Sequence, residues 1–98
     1  MTITKTLNGA ALTLALEGRL DTVTAPQLDT ELKESLPGVE PLTIDLSKTD
    51  YLSSAGLRVL LSAQKVMNKQ GEMVLTGVGE TIMEVFEITG FCDILTIV

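Results

Sequence analysis

Two adjacent hydroxyls, Ser53 and Ser54, begin the run Ser53-Ser54-Ala55-Gly56-Leu57. The run follows an alternating apolar stretch read as a strand, Leu42 to Leu46, and a short polar turn, Ser47 to Asp50. It opens the longest helical pattern in the chain. A serine at a helix start lies beside free backbone N–H groups and the positive end of the helix dipole. A covalently attached phosphate is held there with little rearrangement. The same place suits a serine that only caps the helix, its oxygen accepting a bond from an N–H two or three residues on. Spacing alone leaves both uses open.

Other chemistry is thinly supplied. The chain has no histidine, hence neither the usual general base nor the usual metal ligand. Its one cysteine, Cys92, excludes an internal disulfide and a Cys-rich zinc site. Placed among Phe91, Ile94 and Leu95, that cysteine reads as a small buried hydrophobe. No metal or cofactor is expected. Gly77-Val78-Gly79 before a helical pattern suggests a nucleotide-binding or small α/β enzyme loop, but the full Gly-x-Gly-x-x-Gly pattern and a P-loop lysine are both missing.

Net charge of −6, with no tryptophan and one tyrosine, argues against nucleic acid as a ligand and favours basic or mixed-charge proteins. Ninety-eight residues, 45% hydrophobic but only 3% aromatic, suit one domain over residues 1–98 with an aliphatic core. No apolar run approaches a membrane span. Met1 to Leu7 lacks a signal peptide's apolar stretch, so a cytoplasmic protein without membrane insertion is expected.

The elements that must position the serines follow from periodicity. Thr2 to Leu7 and Ala10 to Glu17 alternate as strands, joined by a tight turn at Asn8-Gly9. Leu12, Leu14 and Leu16 share one face of the second. Glu17 to Asp21 leads into a loop. Thr24-Ala25-Pro26-Gln27 has the form of a capping box, opening a helix with Ala25, Leu28, Leu32 and Leu36 inward, closed by Pro37-Gly38.

The helix after the serines is expected from about Ser54 to Gln70. Gly56, Val59, Leu60, Ala63, Val66 and Met67 form its apolar stripe, with Leu57 and Leu61 at the stripe's edge. A short strand, Glu72 to Thr76, a third helix, Glu80 to Thr89, with Ile82, Val85 and Phe86 inward and Gly90 as its left-handed stop, and a final strand, Ile94 to Val98, complete the reading. The order β-β-α-β-α-β-α-β predicts an α/β fold: a mixed open sheet with helices mainly on one face.

Gly18-Arg19-Leu20-Asp21 with Thr24-Ala25, then Asp45-Leu46-Ser47 and Tyr51 to Leu57, and finally the third helix through Gly90-Phe91 resemble the STAS domain, the fold of bacterial anti-sigma factor antagonists. The resemblance covers essentially the whole chain. It implies a non-enzymatic binding protein that engages an anti-sigma factor serine kinase and so frees the sigma factor. Phosphorylation by that kinase dissociates the pair, and a PP2C-type serine phosphatase restores it.

On this resemblance Ser54, two residues before Gly56, matches the phosphate acceptor, and Asp21 matches the loop aspartate expected beside it. Ser53 stands where many antagonists carry aspartate, so it is the second candidate acceptor. Partner contacts are expected from Asp21 and Thr22 in the loop and from Ser53, Ser54, Gly56 and Leu57 at the helix start. Arg58 and Leu61, further along the helix, complete the set. Arg58, one turn after Ser54, is placed either to steady a phosphate or to lie solvated on the polar helix face. Leu57 and Leu61 serve as a partner-facing apolar edge or as core. The other reading kept open is a STAS subunit that regulates an ABC-type transporter by docking on its ATPase, with Ser54 a contact rather than a switch.

Overall fold

The computed structural model describes residues 1–98. Its strands are β1 (Thr2–Asn8), β2 (Ala11–Leu20), β3 (Leu42–Leu52) and β4 (Met73–Thr76). Its helices are α1 (Ala25–Ser35), α2 (Ser54–Met67) and α3 (Glu80–Thr89), followed by a 3₁₀ turn at Phe91–Asp93. The strands lie in the order β1-β2-β3-β4, with β1 antiparallel to β2 and both remaining pairs parallel. The expected mixed α/β sheet is therefore present.

Alternation builds the core. Leu12, Leu14 and Leu16 of β2 and Leu42, Ile44 and Leu46 of β3 are all buried, and they face Leu28 and Leu32 of α1, Leu60 and Met67 of α2, and Ile82 and Phe86 of α3 in one cluster. Truncating one such leucine to alanine costs about 2–5 kcal/mol. The other sheet face carries Ala11, Thr13, Ala15, Thr43 and Asp45, all half-exposed and small or polar, so the helices lie on a single face.

Five boundaries differ from expectation. The hairpin turns at Gly9-Ala10 rather than Asn8-Gly9: only Gly9 has positive φ (63°), and Asn8 pairs with Ala11 inside the ladder. A turn with positive φ at its first central residue alone has the II′ pattern and needs no asparagine.

Ser47 to Asp50 is strand, not turn, and β2 continues past Glu17 to Leu20. Ala15 faces Asp45 while Glu17 faces Lys48, and Gly18 faces Thr49 while Arg19 faces Tyr51, so β3 takes up an extra residue at each of two bulges. Thr49 is turned inward there, and its hydroxyl donates to the Leu16 carbonyl at 2.8 Å where the ladder is interrupted. The polar composition imitates a turn because these residues sit where the bulged strand faces solvent.

Helix α2 stops at Met67 rather than Gln70. Gln70 instead sends its amide across to the carbonyls of Leu36 (2.7 Å) and Val39 (2.8 Å), satisfying backbone groups at the end of α1. Val66, expected inward, is 44% exposed; Gln64, not expected inward, is buried and donates to Asn68 at 2.8 Å.

The final strand is reduced to one bridge, Leu75 to Ile97, held by Leu75 N–H to Thr96 (2.8 Å) and Val98 N–H to Leu75 (3.0 Å). The 3₁₀ turn before it leaves Ile94 exposed and, against expectation, Cys92 as well.

Candidate functional site

The expected site residues converge at the C-terminal ends of β2 and β3, where α2 begins. Leu20 and Ser53 are linked directly, the Ser53 N–H donating to the Leu20 carbonyl at 2.9 Å. Gly56 permits this. A Cβ built on it would fall 2.6 Å from Leu20 Cγ and 2.8 Å from the Leu20 carbonyl oxygen. The β2 end and the loop behind it are thus seated against the first turn of α2.

The two serines are separated by role. Ser53 is the N-cap: its backbone is extended (φ −91°, ψ 171°), and its Oγ accepts from the Gly56 N–H at 3.3 Å. Ser54 is the first helical residue, exposed, with no side-chain hydrogen bond to any protein group. Its hydroxyl is open to solvent beside the N-terminal N–H groups of a fourteen-residue helix. No acidic residue occupies that first turn, so an added anion would meet the dipole without local competition on the helix.

Asp21 is engaged by its own loop. Its Oδ1 accepts from the N–H groups of Val23 and Thr24, both at 3.0 Å, and Oδ2 lies 3.5 Å from Arg19 Nε. The Thr24 N–H, set against the opposing effect of burial, leads the contacts that hold this carboxyl below the usual carboxylate range; the Thr24 hydroxyl and the Val23 N–H follow. Neither serine hydrogen-bonds to it.

The expected capping box at Thr24 is absent. The Thr24 hydroxyl donates to the Arg19 carbonyl at 2.7 Å and accepts from the Asp21 N–H at 2.9 Å, so it braces the loop rather than capping α1. Pro26, Gln27 and the apolar stripe suffice for the helix. Thr22 is exposed at the loop's outer side.

Of the remaining predicted residues, Arg58 is exposed and without a salt bridge, on the solvated helix face. Leu57 is only 5% exposed and belongs to the core, so it offers no apolar edge to a partner; Leu61 is half-buried against the same core. Position 57 shares the helix face of Leu60, Gln64 and Met67, all buried, so the stripe is wider there than expected.

Two neighbours were not among the predicted site residues. Arg19 lies with its guanidinium carbon 4.0 Å from the centroid of the Tyr51 ring, and the two are direct strand partners. That pairing depends on the second bulge in β3, which no sequence pattern announced. A cavity of about 470 Å³ between α1 and α2, lined by Leu32, Leu36, Val59 and Val66 among others, includes none of the predicted site residues.

A four-stranded mixed sheet with a serine-led helix docked on its loop defines a class, and comparison with known proteins agrees. Residues 2–98 match the STAS domain model, and the chain belongs to that family, within its anti-sigma factor antagonists, which act by binding rather than by catalysis. BtrV of Bordetella bronchiseptica, provisionally named an anti-sigma factor antagonist, is 41% identical over 88 residues, covering 88% of this chain and 76% of BtrV. The anti-sigma-B factor antagonist of Listeria monocytogenes is 37% identical over 83 residues, covering 82% of this chain and 72% of its own. A crystal structure of an anti-sigma factor antagonist from Mycobacterium paratuberculosis superposes with a TM-score of 0.88 at 24% identity, covering 98% of this chain and 83% of that one. No helix is long and apolar enough to cross a membrane.

Proposed function

We propose that this antagonist binds an anti-sigma factor serine kinase in the cytoplasm while Ser54 is unmodified, releases it when Ser54 is phosphorylated, and is restored by a PP2C-type serine phosphatase. One observation carries the assignment to Ser54 rather than Ser53. The Ser53 oxygen is committed to the Gly56 N–H, whereas the Ser54 hydroxyl is exposed and unengaged. Phosphate there adds roughly −1.5 to −2 charge. The helix terminus returns about 0.3–1 kcal/mol, so the domain keeps its fold.

The partner bears the cost. A surface that closes over a neutral hydroxyl would have to desolvate a dianion near the Asp21 carboxylate, and a penalty of about 3 kcal/mol weakens binding more than a hundredfold. Incubation with the cognate kinase and ATP, followed by mass spectrometry, tests this. Phosphate is expected on Ser54, with loss of the complex. Phosphate on Ser53 alone, or none on either serine beside a stable complex with an ABC ATPase, rejects it.

A further inference from the structure

The residue of this surface best prepared to recognise a partner is Arg19. Its guanidinium is held on two sides. Its central carbon lies 4.0 Å over the centre of the Tyr51 ring, and its Nε is 3.5 Å from Asp21 Oδ2. The two Nη groups make no hydrogen bond within the chain, and the side chain is 60% exposed. A planar fork is thus restrained with its end-on donors free, and such a fork receives a carboxylate through two parallel bonds.

The supports are themselves ordered. The Tyr51 backbone is positioned by its strand pairing with Arg19. Asp21 is fixed by the N–H groups of Val23 and Thr24, and the preceding residue, Leu20, is bonded to Ser53. Arg19 alternates with the buried Leu20, so the fork stands on the open sheet face, at the same end of β2 that is bonded to the serine-bearing helix start.

Resting on the kinase-binding reading above, we infer that Arg19, stacked on Tyr51 and steered by Asp21, docks an aspartate or glutamate side chain of the anti-sigma partner and sets partner choice. Asp21 already occupies the Nε edge, so a partner carboxylate approaching from that side is repelled, and only one aligned with the free end of the fork is accepted. Selectivity then arises from repulsion as well as attraction. Lysine cannot replace the fork, because an ammonium neither stacks as a plane nor offers two parallel donors.

The experiment is a titration of the purified kinase, loaded with ADP, against wild type and the variants Arg19→Gln, Arg19→Lys, Tyr51→Phe, Tyr51→Leu and Ser54→Asp. Thermal midpoints and the salt dependence of Kd are recorded for each. Arg19→Gln is expected to bind about tenfold more weakly with a shallower salt dependence. Arg19→Lys should recover little of that loss. Tyr51→Phe should match wild type, Tyr51→Leu should fall between, and Tyr51→Leu combined with Arg19→Gln should be no weaker than Arg19→Gln alone.

An unchanged Kd for Arg19→Gln in the presence of tight wild-type binding overturns the inference and leaves the Ser54 switch standing. So does full activity of Arg19→Lys, or a lowered thermal midpoint with no change in Kd. Binding by wild type and Ser54→Asp with equal affinity rejects the switch while leaving the Arg19 result readable. No binding by wild type rejects both.

Discussion

Gly56 and Leu20 approach each other more closely than any side chain at position 56 would allow, with the Leu20 carbonyl oxygen only 2.8 Å from where a Cβ would stand. The contact joins the end of β2 to the start of α2 and brings the Asp21 loop alongside the serine pair. Gly56→Ala meets backbone as well as side chain, so rotamer changes cannot relieve it. Overpacking of about 1–3 kcal/mol outweighs the roughly 1 kcal/mol gained in helix propensity. A net loss of up to about 2 kcal/mol in urea unfolding is expected, together with weaker partner binding as the loop shifts. Stability equal to wild type would mean the loop yields freely.

The neighbouring serines should separate cleanly by calorimetry. Ser53→Ala removes the N-cap, whose 3.3 Å bond is long, and should cost about 0.5–1 kcal/mol. For a domain of this size each kcal/mol lowers the melting temperature by roughly 4–8 °C. Ser54→Ala removes no bond and should melt with wild type while resisting phosphorylation. The reverse order of melting temperatures would exchange the two roles.

Thr49→Val keeps the shape of a buried side chain but deletes the 2.8 Å donor to Leu16. The carbonyl is then left without a partner at the bulge, at a cost of about 1–2 kcal/mol. Hydrogen exchange at the β2–β3 junction should quicken in the same variant. Protection identical to wild type would show that the bulge is held by pairing alone.

Acid should weaken the Asp21 loop. Backbone and side-chain donors, the Thr24 N–H foremost, lower this carboxyl when folded, so its contribution is fully present above the ordinary carboxylate range. It is lost as pH falls through the lowered folded value. Asp45, lowered chiefly by the Ser47 N–H, acts in the same direction. Urea unfolding of Asp21→Asn should show a stability gap from wild type that is constant near neutrality, narrows below the carboxylate range and then closes. A gap that widened with acid would contradict the assignment.

Cys92 should react with a thiol reagent in the native protein, one equivalent per chain, without denaturant, because the 3₁₀ turn leaves it exposed. Labelling that required urea would place it in the interior after all.

Much of this was readable from residues in a row. The leucine alternations of β2 and β3 have period two, and the stripes of α1 and α2 have helical period; both survive into the structure because burial enforces them. Position 66 failed because a stripe widens or narrows with the neighbour it meets: Val66 lies over the open cleft between α1 and α2. Cys92 failed because apolar neighbours in sequence do not guarantee a covering element in space. The polar stretch Ser47 to Asp50 failed because its strand character comes from pairing with β2, a partner some thirty residues away.

What sequence alone determined is the list of groups and their local setting: hydroxyls ahead of a long amphipathic helix, an aspartate in a short loop, no histidine and a surplus of negative charge. These follow from side-chain chemistry and from periodicities of two and 3.6, which are local properties of the chain. Tertiary structure alone decided which hydroxyl is occupied and which is free, that Asp21 spends its carboxylate on its own loop, and that Arg19 lies over the Tyr51 ring. The first two are contacts within three residues whose donors only the folded backbone aims, and the third depends on a bulge between distant segments, where one residue's shift in register turns a side chain to the opposite face.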